Sequence, residues 1–295
     1  SDDARPRVGG DARLMQAEAA LQAQPAGDHA ALSAACEPGV GLCTIVGIEG
    51  SFSRKVGAQL AILPDGSTVG SLSDGCLEAQ LASDMRTATA AQVRRYGAGA
   101  QAIDFRLPCG GGLDILLDPV PDRAACREAV TKLTARHVAR LHLPGTAPIR
   151  ERQFQPALRI VAFGEGPELA AIERLAAAMG LECDARDKTA LSLGSLAKDC
   201  RFDRWTAVVM LFHDHEWEAP LLEQALSSEA FYVGAQGGER ARIQRTLSLA
   251  SRNIEESRIA RIRSPIGLIP TCRSPETLAL SALAEMVGDY ERLYG

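Results

Sequence analysis

A short apolar segment that runs directly into a glycine turn constrains this chain more than any other feature. Residues 158–163 have the apolar character of a buried strand, and Gly164-Glu165-Gly166 follows immediately. Helical composition then begins at Pro167, a residue well suited to a first helical turn. The order predicts strand, tight turn and helix, the arrangement in which dinucleotide folds hold a phosphate. A Rossmann-like domain is therefore predicted to begin near residue 157, after a different domain.

The second half of the chain alternates between strand-like and helix-like segments, which indicates a parallel sheet with right-handed crossovers. The predicted strands are 158–163, 182–187, 207–211 and 231–233. The predicted helices are 167–179, 216–227, 239–250 and 275–287. The predicted fold class is therefore α/β, with a Rossmann-like parallel sheet domain over residues 157–295.

The first half is predicted to form a smaller mixed α+β domain over residues 1–150. A turn signal at residues 64–66 predicts a hairpin, and a linker is predicted over residues 144–156. The predicted strands are 40–49, 59–63, 68–71, 102–107 and 113–117. The predicted helices are 12–24, 77–93 and 123–143.

Composition and charge argue against several classes of function. The net charge is -5 and the basic residues are scattered, so neither nucleic acid nor an anionic membrane surface is an expected partner. No apolar run reaches the ~18 residues of a membrane helix. The eight cysteines lack C-x-x-C spacing and the five histidines lack zinc-ligand spacing. We expect reduced thiols and a cytoplasmic protein.

The glycine turn is the first candidate site. Gly164 and Gly166 match the first two glycines of the dinucleotide fingerprint, whereas Leu169 occupies the third position. Asp187 ends the next predicted strand, where a ribose-binding carboxylate would lie. The alternative is that these glycines only make a tight turn. We interpret Gly164, Gly166 and Asp187 as candidate cofactor contacts.

A histidine-containing segment, residues 213–216, follows the predicted strand 207–211. It therefore lies at the carboxyl edge of the sheet, where such folds bind ligands. His213 and Asp214 are predicted to contact ligand ahead of His215. The alternative is that Asp214 caps a helix and both rings face solvent.

A glycine-rich loop follows the predicted strand 231–233. Gly234 and Gly237 permit close approach of a ligand to the backbone. Arg240 can pair with a phosphate or a carboxylate. The alternative is a loop with solvated arginines.

The first domain contains a polar, basic loop between two predicted strands, with Ser51, Arg54 and Gly57 as candidate cofactor contacts. Gly75, a further candidate cofactor contact, and Cys76 lie at a predicted helix start. A helix N-terminus favours the thiolate form of a cysteine.

A second cysteine, Cys109, precedes a run of three glycines. We interpret Cys76 and Cys109 as candidates for sulfur handling and Cys109 as a candidate metal ligand. The alternative for each is a small buried hydrophobe. The remaining cysteines are predicted to be structural: Cys36, Cys43, Cys126, Cys183, Cys200 and Cys272.

Taken together, these segments resemble the XdhC/CoxI family, the accessory proteins of xanthine dehydrogenase and related molybdenum hydroxylases. In the first half the resemblance is carried by residues 50–57, 70–78 and 109–111. In the second half it is carried by residues 213–216, 231–235, 262–268 and 274–285. It spans about residues 35 to 290 in the family's domain order.

The resemblance implies a chaperone that binds molybdenum cofactor, as molybdopterin or its dinucleotide form. It implies that the protein assists replacement of an oxo ligand by sulfide and delivers the cofactor to an apo-hydroxylase. A cysteine desulfurase is the implied sulfur donor, and a homodimer is compatible with the family. Cys76 and Cys109 match the family's glycine-flanked cysteines. The chain departs from the family pattern at Asp74, Glu239 and residues 269–272.

Two other functions are compatible with the sequence. An NAD(P)-dependent oxidoreductase would use the Rossmann-like domain, although the missing third glycine and Pro167 disfavour it. A scaffold that has lost its ligand is the other. The leading hypothesis is a cofactor chaperone rather than a turnover enzyme. It expects loops from both halves to converge over the end of the parallel sheet.

Overall fold

The computed structural model describes residues 27–73, 75–100, 107, 110–145 and 147–295. These residues divide into two compact units, an amino-terminal unit over 27–156 and a carboxy-terminal unit over 157–295. The predicted helix at 12–24, nearly all of the predicted strand at 102–107, Asp74 and Cys109 lie outside the described residues.

The amino-terminal unit is built on an antiparallel five-stranded sheet of order β3-β2-β1-β5-β4, accompanied by a two-stranded sheet of β6 and β7. Its elements are α1 (Gly27–Ala34), β1 (Gly41–Glu49), β2 (Gln59–Ile62), β3 (Thr68–Gly70), α2 (Gly75–Thr87), β4 (Gln92–Gly97), β5 (Gly112–Asp118), α3 (Arg123–Thr134), β6 (Ala139–His142) and β7 (Glu151–Phe154). The predicted hairpin is present, since β2 and β3 pair antiparallel.

Two predicted helices of this unit are shorter than their composition suggested. The helix predicted over 77–93 ends at Thr87, and β4 then pairs with β5. The helix predicted over 123–143 ends at Thr134, and Arg136 adopts a φ of 63° just beyond it. The strand β6 then replaces the end of the predicted helix, and its residues are alternately buried and exposed. It pairs with β7, which lies within the predicted linker. Period-two burial and pairing outweigh helix propensity there.

The carboxy-terminal unit is a parallel five-stranded sheet of order β12-β11-β10-β8-β9. Its elements are β8 (Arg159–Gly164), α4 (Gly166–Ala178), β9 (Glu182–Arg186), β10 (Thr206–Leu211), α5 (Glu218–Leu226), β11 (Tyr232–Ala235), α6 (Glu239–Ser251), α7 (Glu256–Ile259), β12 (Ile262–Arg263) and α8 (Pro275–Tyr294). Short 3₁₀ turns cover Lys188–Ala190 and His215–Trp217. The predicted α/β class is confirmed. Helix α7 and strand β12 have no counterpart among the predicted elements.

Both faces of this sheet are covered by apolar cores. All six residues of β10 are buried. Val208 and Met210 belong to one core, whereas Ala207 and Val209 belong to the other. This follows from the two-residue period of a strand, which sends successive side chains to opposite faces. A continuous apolar run therefore forms the central strand of the sheet.

The strand order places a topological switch between β8 and β10, since β9 lies on the other side of β8. Crossovers leave such a point in opposite directions, which opens a crevice at the carboxyl ends of the strands. The described part of the chain contains no helix whose length and apolar character would let it cross a membrane.

Candidate ligand site at the carboxyl edge of the parallel sheet

A cavity of about 580 Å³ lies at the carboxyl edge of the parallel sheet. It is formed within the carboxy-terminal unit by the first turn of α4, the loops after β10 and β11, and the segment that leads into α8. The lining residues that matter for its chemistry are Glu168, Phe212, His213, His215, Gln236, Gly237, Cys272 and Arg273. Its location is the one that the strand order predicts for a ligand.

The two glycines of the β8–α4 turn have structural reasons for being glycine. A Cβ on Gly164 would lie 2.6 Å from Leu211 Cβ and 2.7 Å from the Leu211 carbonyl oxygen. Gly166 adopts a φ of 73°, where a side chain is strained. Neither glycine lines the cavity. Their role as cofactor contacts stays a prediction.

The start of α4 already contains negative charge. Glu165 lies at the N-cap position, and Pro167 contributes no N–H to the first turn. The Glu165 carboxylate accepts a hydrogen bond from the His213 backbone N–H at 3.3 Å and lies 2.9 Å from Lys188 Nζ. The hydrogen bond from Lys188 is the main reason why the pKa of Glu165 is lowered. This carboxylate therefore braces the turn.

Asp187 and Asp214, which are predicted to contact a ligand, each cap a local turn. Asp187 Oδ1 accepts hydrogen bonds from the Thr189 backbone N–H at 2.9 Å and from Thr189 Oγ1 at 2.5 Å. The second of these bonds is the main reason why the pKa of Asp187 is lowered. Asp214 accepts from the Glu216 backbone N–H at 3.2 Å. The capping alternative therefore describes the observed contacts of Asp214, and ligand binding by these two residues stays a prediction.

The two histidines after β10 differ in how firmly they are held. The His213 side chain is 63% exposed, and its Nε2 lies 3.4 Å from Glu168 Oε2. His215 Nδ1 lies 3.0 Å from Glu218 Oε1, and Glu218 is 1% exposed. Both rings line the cavity. The structure therefore gives the more fixed orientation to His215, the histidine that the sequence pattern ranks lower.

A buried ion pair holds this histidine and the loop after β11. Arg245 Nε donates to Glu218 Oε2 at 2.8 Å, and Arg245 is 4% exposed. The same guanidinium donates to the Gln236 carbonyl oxygen at 2.8 Å and to Ser264 Oγ at 3.0 Å. This buried side chain therefore holds the Gln236 backbone directly and His215 through Glu218, and both Gln236 and His215 line the cavity.

This pair is absent from the sequence-based predictions, although one signal for it exists. Arg245 lies four residues before Leu249, on the buried face of α6. An arginine in register with a core leucine has to find an internal partner, because an unpaired buried charge is costly.

The glycine loop after β11 separates into two kinds of position. A Cβ on Gly234 would lie 2.6 Å from Tyr232 Cε1 and 2.8 Å from Ile266 Cγ2, so this glycine permits close packing. Gly237 adopts a φ of 114° and lines the cavity. Arg240 is exposed and is not among the residues that line the cavity.

In the amino-terminal unit, the basic loop is held by internal contacts. Arg54 Nη2 lies 3.4 Å from Asp28 Oδ1, and Arg152 Nη2 lies 3.0 Å from Asp28 Oδ2. Arg152 Nε donates to the Gly57 carbonyl oxygen at 2.6 Å. Asp28 also accepts the Gln59 backbone N–H at 3.0 Å. Arg54 and Gly57 are thus parts of a structural network, and a ligand role for them stays a prediction.

The candidate thiol of this unit is accessible. Cys76 is exposed at the second residue of α2, directly after Gly75. Ser51 is exposed in the loop after β1. Cys109, the other candidate, lies outside the described residues. Within the described residues, no three His, Cys, Asp or Glu side chains are grouped so that they could hold a metal ion.

The cysteines predicted to be structural divide into two groups. Burial raises the pKa of Cys126 and of Cys200 to about 11, and it raises the pKa of Cys183 to about 12. These side chains therefore remain neutral thiols near pH 7. Cys272 is partly buried and lines the cavity, and its structural role stays a prediction.

Comparison with known proteins places both halves in one family. A model described as the XdhC Rossmann domain matches residues 160–286, and a model of the XdhC and CoxI family matches residues 35–97. The molybdenum cofactor insertion chaperone PaoD of Escherichia coli K12 is 32% identical over 267 residues, which cover 84% of this chain and 82% of PaoD. These matches extend across both units.

Two further proteins are more distantly similar. A protein of Bacillus subtilis, named as one of the probable subunits of xanthine dehydrogenase, is 24% identical over 315 residues, covering 85% of this chain and 93% of that protein. The crystal structure of a xanthine dehydrogenase from Bacillus halodurans superposes with a TM-score of 0.71 at 19% identity. It covers 91% of this chain and 96% of that one, and at this identity it supports the fold alone. The family models and the identity to PaoD together show that the chain belongs to the XdhC and CoxI family.

Proposed function

We propose that this protein binds molybdenum cofactor and delivers it to an apo-hydroxylase of the xanthine dehydrogenase type. The observation that carries the proposal is the 32% identity to a molybdenum cofactor insertion chaperone over 84% of this chain. The likeness is not confined to the common Rossmann-like fold, because a family model also matches the amino-terminal unit. Fold alone would leave the function open.

The cavity of the carboxy-terminal unit supports the proposal by its size and position. Its volume of about 580 Å³ lies within the roughly 300–1,000 Å³ of typical small-molecule sites. It lies beside the topological switch of the sheet, where folds of this class bind ligands. The proposal covers binding of the cofactor either as molybdopterin or in its dinucleotide form.

The sulfur step of the proposal concerns the other unit. Cys76 is an exposed thiol at a helix start, so its sulfur atom is accessible to a cofactor or to a sulfur donor. We propose that Cys76 and Cys109 contact the cofactor while sulfide replaces an oxo ligand, with a cysteine desulfurase as sulfur donor. A homodimer in the cytoplasm is the proposed assembly and location.

The carboxylates at the start of α4 argue against an NAD(P)-dependent oxidoreductase that would bind its pyrophosphate at this helix. Glu165 and Glu168 lie where a dinucleotide pyrophosphate would approach the helix, and Pro167 removes one N–H. A titration with NADH followed by fluorescence tests the point. We expect no saturable binding.

The decisive experiment is purification from cells that make active molybdenum hydroxylase, followed by molybdenum and pterin analysis. We expect about one molybdenum and one pterin per chain, and restored activity when the loaded protein is mixed with apo-hydroxylase. Protein that carries neither would contradict the proposal.

The cysteine roles are tested in the same assay. Cys76→Ala and Cys109→Ala are expected to lower cofactor retention or sulfuration, whereas the control Cys183→Ala, on β9, should leave both unchanged. Wild-type loading and sulfuration in either variant would remove that cysteine from the site.

A further inference from the structure

We propose that the cavity of the carboxy-terminal unit recognises a 2-amino-4-oxopyrimidine edge, with Glu168 as the acceptor of its N–H groups. This edge is shared by pterins and by guanine. The proposal rests on the proposed function and deepens it, because it names which part of the cofactor this cavity receives. Glu168 is a residue to which the sequence pattern alone gives no role.

One buried acceptor in this cavity has no hydrogen-bond donor within the described part of the chain. Glu168 lies in the first turn of α4, and its side chain is 17% exposed. Its Oε2 atom is buried and accepts no hydrogen bond from the described residues. His213 Nε2 is 3.4 Å away but does not make a hydrogen bond to it. Buried acceptors are nearly always satisfied, so this oxygen is suited to a donor on a guest.

A second polar group in the same cavity is almost completely buried. Gln236 is 8% exposed, and its Nε2 donates to the Phe212 carbonyl oxygen at 3.1 Å. Its backbone is also fixed, because its N–H donates to the Met210 carbonyl oxygen at 2.9 Å. The anchored carboxamide leaves its own carbonyl oxygen as a further acceptor. Two acceptors in one cavity favour a guest that is rich in N–H donors.

The other walls suit a flat ring. Phe212, Pro265, Ile266 and Leu278 line the same cavity, and Ile266 is 3% exposed. Apolar walls with a few fixed polar groups are typical of sites that orient a heterocycle.

The charges argue against a phosphate at the α4 end of the cavity. Glu165 and Glu168 both lie at the N-terminus of α4, where they already compensate the positive end of the helix dipole. A phosphate at this end of the cavity would meet the Glu168 carboxylate and a helix N-terminus that lacks one N–H donor, because Pro167 has none. A neutral heterocycle that presents N–H groups meets no such repulsion.

A carboxylate distinguishes this edge from its closest analogues. The ring N–H and the adjacent exocyclic amino group are parallel donors that match the two oxygens of a carboxylate. Lumazine replaces the amino group of a pterin by an oxygen, which would face the carboxylate lone pairs. Inosine lacks the amino group of guanosine. Both analogues therefore lose one of the paired hydrogen bonds.

The test compares matched ligands on the purified full chain without cofactor. Binding of 6-hydroxymethylpterin and lumazine is followed by their fluorescence, and binding of guanosine and inosine by calorimetry. We expect the pterin to bind about tenfold to hundredfold more tightly than lumazine, as for a lost bidentate contact. Tight guanosine binding without pterin binding would assign the site to a guanine base instead of a pterin.

The matched variants are Glu168→Gln and Glu173→Gln, which make the same change on one helix. Glu173 is exposed and does not line the cavity. Glu168→Gln should weaken pterin binding about tenfold to hundredfold and reduce or reverse the preference over lumazine, because a carboxamide N–H can donate to the 2-oxo group. Glu173→Gln should behave as the wild type.

Equal affinities of the wild type for both members of each ligand pair, or an unchanged preference in Glu168→Gln, would overturn the inference. The ligand-pair comparison on the wild type needs no variant to fold. The two proposals also fail separately. A wild type that loads molybdenum cofactor without discriminating the ligand pairs refutes the inference alone, whereas discrimination without loading refutes the proposed function alone.

Discussion

Two loops of this molecule look alike in sequence and differ in structure. Each has glycines beside arginine: residues 50–57 in the amino-terminal unit and 234–240 in the carboxy-terminal unit. In the first, Arg54 pairs with Asp28, so the charge is used within the fold. In the second, Arg240 is exposed, while Gly237 lines a cavity.

The difference teaches that a basic glycine loop is not by itself a ligand site. What decides is whether the fold supplies an internal partner for the charge. The second loop is held by Arg245, which comes from the buried face of α6 and donates to the Gln236 carbonyl oxygen. The loop's own arginine, Arg240, is therefore not needed for that support.

Removal of the Arg245 side chain should have the largest effect on stability. Arg245→Ala leaves Glu218 buried without its partner, and we expect a loss of about 3–5 kcal/mol in the free energy of unfolding. Urea unfolding followed by tryptophan fluorescence measures it, because Trp205 and Trp217 both lie in the carboxy-terminal unit.

The control is Arg242→Ala, which breaks an exposed pair with Glu239 on the same helix. It should leave the free energy of unfolding almost unchanged, because solvent screens an exposed ion pair. Similar losses in the two arginine variants would show that burial does not distinguish them.

The next effect concerns the turn after β8. Gly164→Ala places a Cβ against the Leu211 backbone and should cost about 1–3 kcal/mol of stability. Gly288→Ala is the opposite control, because Gly288 lies within α8 and an added Cβ would have no described atom within 4 Å apart from its chain neighbours and the nearby backbone of its own helix. It should stabilise by about 0.5–1 kcal/mol. The same urea assay compares them, and a neutral Gly164→Ala would argue against tight β8–β10 packing.

In the amino-terminal unit, Asp28→Asn tests whether the Arg54 loop is structural. The change weakens the contacts to Arg54 and Arg152, and we expect a loss of about 1 kcal/mol. Hydrogen exchange of the Gln59 amide, whose N–H donates to Asp28, should become faster. The matched control Asp65→Asn, in an exposed turn, should leave that amide unchanged. Unaltered stability together with unaltered Gln59 exchange in Asp28→Asn would show that the Asp28 charge does not hold this loop.

The smallest effect on stability is expected for the contact between Lys188 and Glu165 at the start of α4. Lys188→Gln removes the contact to Glu165 and should cost less than about 1 kcal/mol at pH 7. Because the folded-state pKa of Glu165 is lowered, the contribution is present above the ordinary glutamate pKa and is lost as pH falls through the lowered value. Unfolding curves of the two proteins should therefore converge in acid. A difference that persists there would assign the effect to packing against Trp217.

Much of the fold could be predicted from local pattern. The order strand, glycine turn and helix at residues 158–179 and the later alternation specify parallel βα units, because period and punctuation are local properties. The strands β6 and β7 escaped prediction because their pairing joins segments whose composition is typical of helix and linker. Local signals also located His213 and Gly237 at the correct edge of the sheet.

The chain order of apolar runs, glycines and prolines by itself determined the α/β class and the edge of the sheet at which the cavity lies. Only the tertiary structure decided which side chains at this edge have internal partners and which can contact a ligand. Glu218 and Arg245 are 27 residues apart and find each other because two helices pack on one face. Glu168 Oε2 is buried in the same way, but no side chain of the described residues donates a hydrogen bond to it. Burial and partner choice depend on residues that are distant in the chain, so no local pattern encodes them.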